Sequence, residues 1–171
     1  CSPNQIISLF QENSFLQALA MTVCWGKMWW IPDSIYGNRP LQRIRNALQS
    51  CALSIQETES IANSWATLTG TNGDQLGWTP VMTSKTLHFL CRAIGFNHDP
   101  PVAIDNKVIL ERVWPTFVVS IPVNQRPRNW SGNSLDAYNR YMTAVLIWAE
   151  QRQWTTTQTE ATIFSEYGEA A

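Results

Sequence analysis

Lys85 and Asp105 are the two side chains in this sequence that could do chemistry together. Lys85 ends the run Pro80-Val81-Met82-Thr83-Ser84-Lys85, which reads as a tight turn with the lysine opening the helix that follows. Asp105 stands twenty positions later in Ala103-Ile104-Asp105-Asn106, at the start of another helix. A neutral lysine amine attacks an electrophilic carbon such as a sugar C1′ and forms a Schiff base with it. Packing against Leu87, Phe89 and neighbouring tryptophans is expected to disfavour the charged amine. A nearby carboxylate stabilises the cation that develops as a leaving group departs, or relays its proton. Either residue alone is unremarkable, since a first-turn lysine is usually solvated and an aspartate before a helix is usually an N-cap worth about 1 kcal/mol. The order turn, lysine, apolar helix, Gly95, short extended run, aspartate, helix is what singles out the pair.

Other reactive residue types give less. His88 follows Lys85 by one helical step and shares its face, so it is a candidate for contacting a substrate, against the more ordinary reading of a core or surface histidine. Ser84 is adjacent to Lys85 on a helix and therefore points away from it. The two histidines, His88 and His98, have no Cys or carboxylate neighbours at zinc spacing, so neither a metal nor a cofactor is expected. Glu57, Glu59, Glu111, Glu160 and Glu166 form no pair of the kind that hydrolyses sugars.

The elements that must position these residues are mostly helical. Ser2-Pro3 is an N-cap with proline at the first helical position, and Ile6, Ile7, Leu9 and Phe10 recur at helical spacing up to a stop near Asn13-Ser14. A second helix carries Phe15, Leu16, Leu19, Val23 and Trp25 into the aromatic stretch Trp25–Trp30. Leu41, Ile44, Ala47/Leu48 and Cys51 mark a one-faced helix. Ser54-Ile55-Gln56-Glu57 reads as a capping box opening the next helix, through Ile61, Trp65 and Leu68 to Gly70. Thr69–Thr79, with three glycines, is a loop. An apolar helix with Leu87, Phe89, Leu90 and Ile94 closes at Gly95, and Pro101–Ile104 is extended up to Asp105, which sits as an N-cap before Val108 and Trp114. Thr116–Ser134 reads as a long loop, Leu135 to Trp154 as a long helix, and Thr157-Gln158-Thr159-Glu160 as a capping box for a last helix ending at Gly168. The expected fold is all-α, with seven or eight helices in a single domain over residues 1–171.

From Pro80 to Trp114 this order resembles the core of the helix-hairpin-helix DNA glycosylases, most closely their 8-oxoguanine DNA glycosylase branch. The Trp25-Gly26-Lys27-Met28 and Thr159–Phe164 segments resemble a bacterial group of short proteins with that fold. The resemblance implies removal of a damaged or modified purine from DNA, with Lys85 as nucleophile and Asp105 as electrostatic partner. His88, Trp78 and Phe164 would contact the substrate, aromatic rings serving as stacking walls for an extruded base, although for any single tryptophan a core position is the commoner outcome. The hairpin of that family carries glycines between its proline and lysine, which let backbone N–H groups approach a phosphate. Val81 and Thr83 occupy those positions here. Hence a second expectation is a non-catalytic module of the same fold that binds a modified base, nucleotide or foreign DNA, and a third is a helical adaptor for a protein partner.

Composition bounds these readings. With 44% hydrophobic and 15% charged residues the chain should fold around a core. A formal net charge of −1 gives no general attraction to nucleic acid, so any such contact is local, at Arg39/Arg43/Arg45 or Arg126/Arg128. No apolar run reaches the roughly 20 residues of a spanning helix, and no membrane association is expected. The four scattered cysteines, Cys1, Cys24, Cys51 and Cys91, read as free buried thiols of a cytoplasmic protein, and Cys1 in place of Met points to trimming or a fragment.

Overall fold

Two helices of this chain start at a hydroxyl residue followed by proline. The computed structural model describes residues 1–26, 40–70, 75–96, 101–104 and 134–168, which form seven α-helices and, among the described residues, no strand. Two compact units divide the chain, Cys1–Ala103 and Ile104–Ala171. The first holds α1 (Pro3–Gln11), α2 (Phe15–Trp25), α3 (Leu41–Thr58), α4 (Ala62–Thr69) and α5 (Pro80–Ile94), and the second α6 (Ser134–Arg152) and α7 (Thr156–Gly168).

At α1 the Ser2 hydroxyl accepts from the Gln5 N–H while the Gln5 side chain accepts from the Ser2 N–H, a reciprocal cap with Pro3 at the first helical position. Thr79-Pro80 repeats that signal: the Thr79 hydroxyl accepts from the Met82 N–H, and α5 begins at Pro80. Lys85 therefore lies in the second turn of α5 and does not open it, which corrects the expected turn at 80–84. α5 ends at Gly95, whose φ of 70° takes the left-handed conformation that a side chain disfavours.

α5 is the axis of the first unit, since α1, α2, α3 and α4 all pack on it. Every residue from Val81 to Cys91 is buried, so this helix has no solvent face over three turns. Around it, α1 contributes Ile6 and Phe10, α2 contributes Ala18 and Leu19, and α3 contributes the stripe Ile44, Ala47, Leu48, Cys51, Ala52 and Ile55. That stripe explains a second correction. Ser54–Glu57 does not cap a new helix but lies inside α3, because Ile55 continues the buried face and its burial outweighs the local capping signal. α3 stops at Glu59, in the left-handed region at φ 49°, and the Ser60 hydroxyl accepts from the Ala62 N–H as α4 starts.

Past α4, residues 75–78 turn back along the helix end. The Leu76 N–H donates to the Thr67 carbonyl, Gly77 to Gly70, and Trp78 to Leu68. The Arg43 guanidinium donates to the Gln75 carbonyl at 2.9 Å, so one residue of the first basic cluster is tied into the fold. In the second unit α6 packs on α7. The capping box of α7 sits two residues before its expected place: Thr155 Oγ1 accepts from the Gln158 N–H, and Gln158 Oε1 accepts from the Thr155 N–H. Thr156 and Thr159 are buried, and the helix starts two residues earlier than Thr157-Glu160 implies.

Among the described residues, no helix is long and apolar enough to cross a membrane. All four cysteines are free, but Cys1 and Cys24 are exposed, so the expectation of buried thiols holds only for Cys51 and Cys91. Burial pushes the Cys51 thiol up to about 11 and the Cys91 thiol up to about 12.

Candidate functional site

A charged residue type in the middle of a core helix calls for an explanation, and Lys85 is only 4% exposed. Four neighbouring helices cover α5, so the burial comes from tertiary packing and not from the local sequence. Lys85 Nζ lies 5.9 Å from the centre of the Trp25 ring, within the range in which an indole face attracts a cation. Trp25 is itself held edge-to-face by Phe89, with ring centres 5.0 Å apart and planes at 87°. Three residues of α2 and α5 thus form one unit: Phe89 seats Trp25, and Trp25 lies beside the amine.

His88 is locked rather than poised. Its Nδ1 lies 2.8 Å from the Pro101 carbonyl, to which it donates as the neutral ring, and Nε2 lies 3.5 Å from the Arg92 guanidinium. This bond ties the buried Pro101 to α5 one turn past Lys85. Burial, with a smaller contribution from Arg92, lowers the His88 pKa to about 4, partly offset by the Pro101 bond. The folded value lies below the ordinary 6.5, so the unfolded chain takes up the proton first. His88 stabilisation is therefore complete above about pH 6.5 and is lost as pH falls toward about 4, an effect on the order of 3 kcal/mol. Urea unfolding between pH 7 and pH 4 should show this loss, and His88→Gln should flatten that part of the profile.

Thr83 and Thr86 flank Lys85 along α5, are 0% exposed, and have hydroxyls with no hydrogen-bond partner among the described residues. A buried hydroxyl left unsatisfied costs about 1–3 kcal/mol. Thr83→Val and Thr86→Val keep the shape and remove that group, so each should raise stability by about 1 kcal/mol, read as a higher urea midpoint.

The other sequence-derived candidates separate. Trp78 is buried, at 4% exposed. The backbone of Phe164 belongs to α7. Asp105, the side chain of Phe164, His98, Arg39, Arg126, Arg128 and the aromatic residues Trp29 and Trp30 lie outside the described residues. Among the described residues no group of His, Cys, Asp and Glu is placed to hold a metal ion. Sequence reasoning missed Trp25 as the neighbour of the amine, although its place in the second helix was legible.

The family model described as "Putative 8-oxoguanine DNA glycosylase OGG-like protein" matches residues 4–164. No curated protein and no solved structure matches the chain. Since the matched span runs from α1 to α7 and the described residues are all-helical, the chain belongs to this 8-oxoguanine DNA glycosylase OGG-like family.

Proposed function

We propose that the protein is a DNA N-glycosylase with a lyase step, which removes a damaged or modified purine through Schiff-base chemistry at Lys85. The observation that carries this reading is a lysine buried at the centre of a core helix with its amine beside an aromatic face. The neutral amine attacks the sugar C1′ as the base leaves with the bonding electrons and takes up a proton, and ring opening then gives a cationic imine on Nζ. The Trp25 ring is placed to stabilise such a cation. Asp105, one residue beyond the buried Ile104, is the proposed electrostatic partner of the developing positive charge. His88 would act indirectly, by holding the Pro101 backbone against α5. DNA is the proposed partner, and family membership supports it.

One observation favours the non-catalytic module as a second reading. A helix start binds a phosphate through free N–H groups. Here Pro80 has none, the Thr79 hydroxyl takes that of Met82, and the Thr79 carbonyl takes that of Thr83. Little of this helix start is left for a backbone phosphate. Borohydride trapping on duplexes carrying oxidised or otherwise modified purines separates the readings: a reduced covalent complex supports the glycosylase, while duplex binding with neither trapping nor base release supports the module.

A further inference from the structure

The α1–α2 hairpin brings together two nucleophilic side chains that the proposed chemistry does not use. α1 and α2 are of similar length, nine and eleven residues, and pack on one another. Their junction is set by Asn13, at a left-handed φ of 59°, and by the Ser14 N–H, which donates to the Leu9 carbonyl. The chain doubles back there, so residue 1 comes to lie beside the second half of α2. The Cys1 thiol donates to the Met21 carbonyl at 3.1 Å, across twenty positions of sequence. Met21 and Cys24 are three residues apart on α2 and share a face, and the Cβ of a helical residue tilts toward the preceding turn. Cys24 is thereby aimed back at the carbonyl that holds the Cys1 thiol.

Access separates these two thiols from the others. Cys1 and Cys24 are free and exposed, whereas Cys51 and Cys91 are free and buried. Thiol–disulfide exchange needs a thiolate that an outside disulfide can reach. Burial pushes Cys51 up to about 11 and Cys91 up to about 12, so that pair holds little thiolate as well as being covered. A disulfide also needs its two Cα atoms within about 7 Å of one another. Cys1 precedes the Ser2 cap and lies outside α1, so any adjustment toward that geometry falls on residue 1 and not on a helix. The position of Cys24 gives such a bridge a consequence: Trp25 follows it as the last residue of α2 and lies beside the Lys85 amine.

We propose that Cys1 and Cys24 are an oxidative modification site, closed to a disulfide by exchange with a low-molecular-weight disulfide such as glutathione disulfide, which locks residue 1 to the last turn of α2. One protein thiolate attacks glutathione disulfide and releases one glutathione thiolate. The second protein thiolate attacks the protein sulfur of that mixed disulfide, forming the Cys1–Cys24 bond and releasing the second glutathione. Two protein thiols are oxidised, one glutathione disulfide is reduced, and the two thiol protons end on the two glutathiones. The test incubates the full chain with glutathione disulfide at pH 8, alkylates the remaining thiols after denaturation, and maps the peptides by mass. The chain should lose two of its four thiols to a Cys1–Cys24 bridge within one molecule, with Cys51 and Cys91 recovered alkylated and dithiothreitol restoring all four. In Cys24→Ser, Cys1 should stop at the mixed disulfide with glutathione. Cys24 is exposed, so this variant leaves the core intact, and the wild-type map stands without it. Glutathione retained on both Cys1 and Cys24 with no bridge would overturn the proposal, as would four thiols left free, a bridge to Cys51 or Cys91, a bridge between two molecules, or a Cys24→Ser chain that still closes a bridge at Cys1. No DNA enters the measurement, so its outcome is independent of the Schiff-base reading.

Discussion

Lys85→Gln is expected to abolish borohydride trapping and to slow release of a modified purine on the order of 10³-fold or more, the scale seen when a nucleophile is removed from a catalytic unit. Glutamine approximates the length and polarity of lysine but has no amine that can form an imine. The substitution also removes a positive charge, so the comparison needs Lys85→Arg. Arginine keeps the charge beside the Trp25 ring, yet its guanidinium is protonated at any working pH and does not attack C1′. If Lys85 acts as a nucleophile, both variants lose trapping. If it only stabilises charge, arginine should restore a substantial part of the base release. Circular dichroism establishes that each variant is folded, which matters because residue 85 is only 4% exposed.

The largest stability effect is expected at Phe89. Its ring is 0% exposed, sits on the helix packed by α1, α2, α3 and α4, and holds Trp25 edge-to-face. Phe89→Ala should cost about 3–5 kcal/mol, since both the transfer free energy and a cavity in the middle of the unit count against it. That is a large part of the 5–15 kcal/mol typical of a whole domain. Urea unfolding followed by tryptophan fluorescence measures it. Leu53→Ala, at a site 52% exposed, serves as the control and should shift the midpoint little. Loss of Phe89 also unseats Trp25, so a folded fraction of the variant should trap DNA less efficiently than the wild type even though Lys85 is intact.

Helix starts and stops were legible where the signal is local. Ser2-Pro3 and Gly95 read the same in sequence and structure, because capping hydroxyls, prolines and left-handed glycines act within a few residues. Thr79-Pro80 carries the same signal, but reading Pro80–Ser84 as a turn places Lys85 one turn too early in its helix. At Ser54–Glu57 a plausible local cap yields to Ile55, which the five other residues of the buried stripe pull into α3. The environment of Lys85 was the least legible feature. A lysine in a helix reads as a solvated face, and only the arrival of four other helices removes the solvent. His88 is similar: its partner Pro101 is a backbone carbonyl thirteen residues away, and no periodicity marks it.

The atom assignment can be read directly by mass. The sequence has three lysines, Lys27, Lys85 and Lys107, so a borohydride-reduced complex with a purine-damaged oligonucleotide can be digested and its adduct located without ambiguity. The adduct is predicted on the peptide that contains Lys85. An adduct on Lys27 or Lys107, with the Lys85 peptide unmodified, would contradict the role given to Lys85.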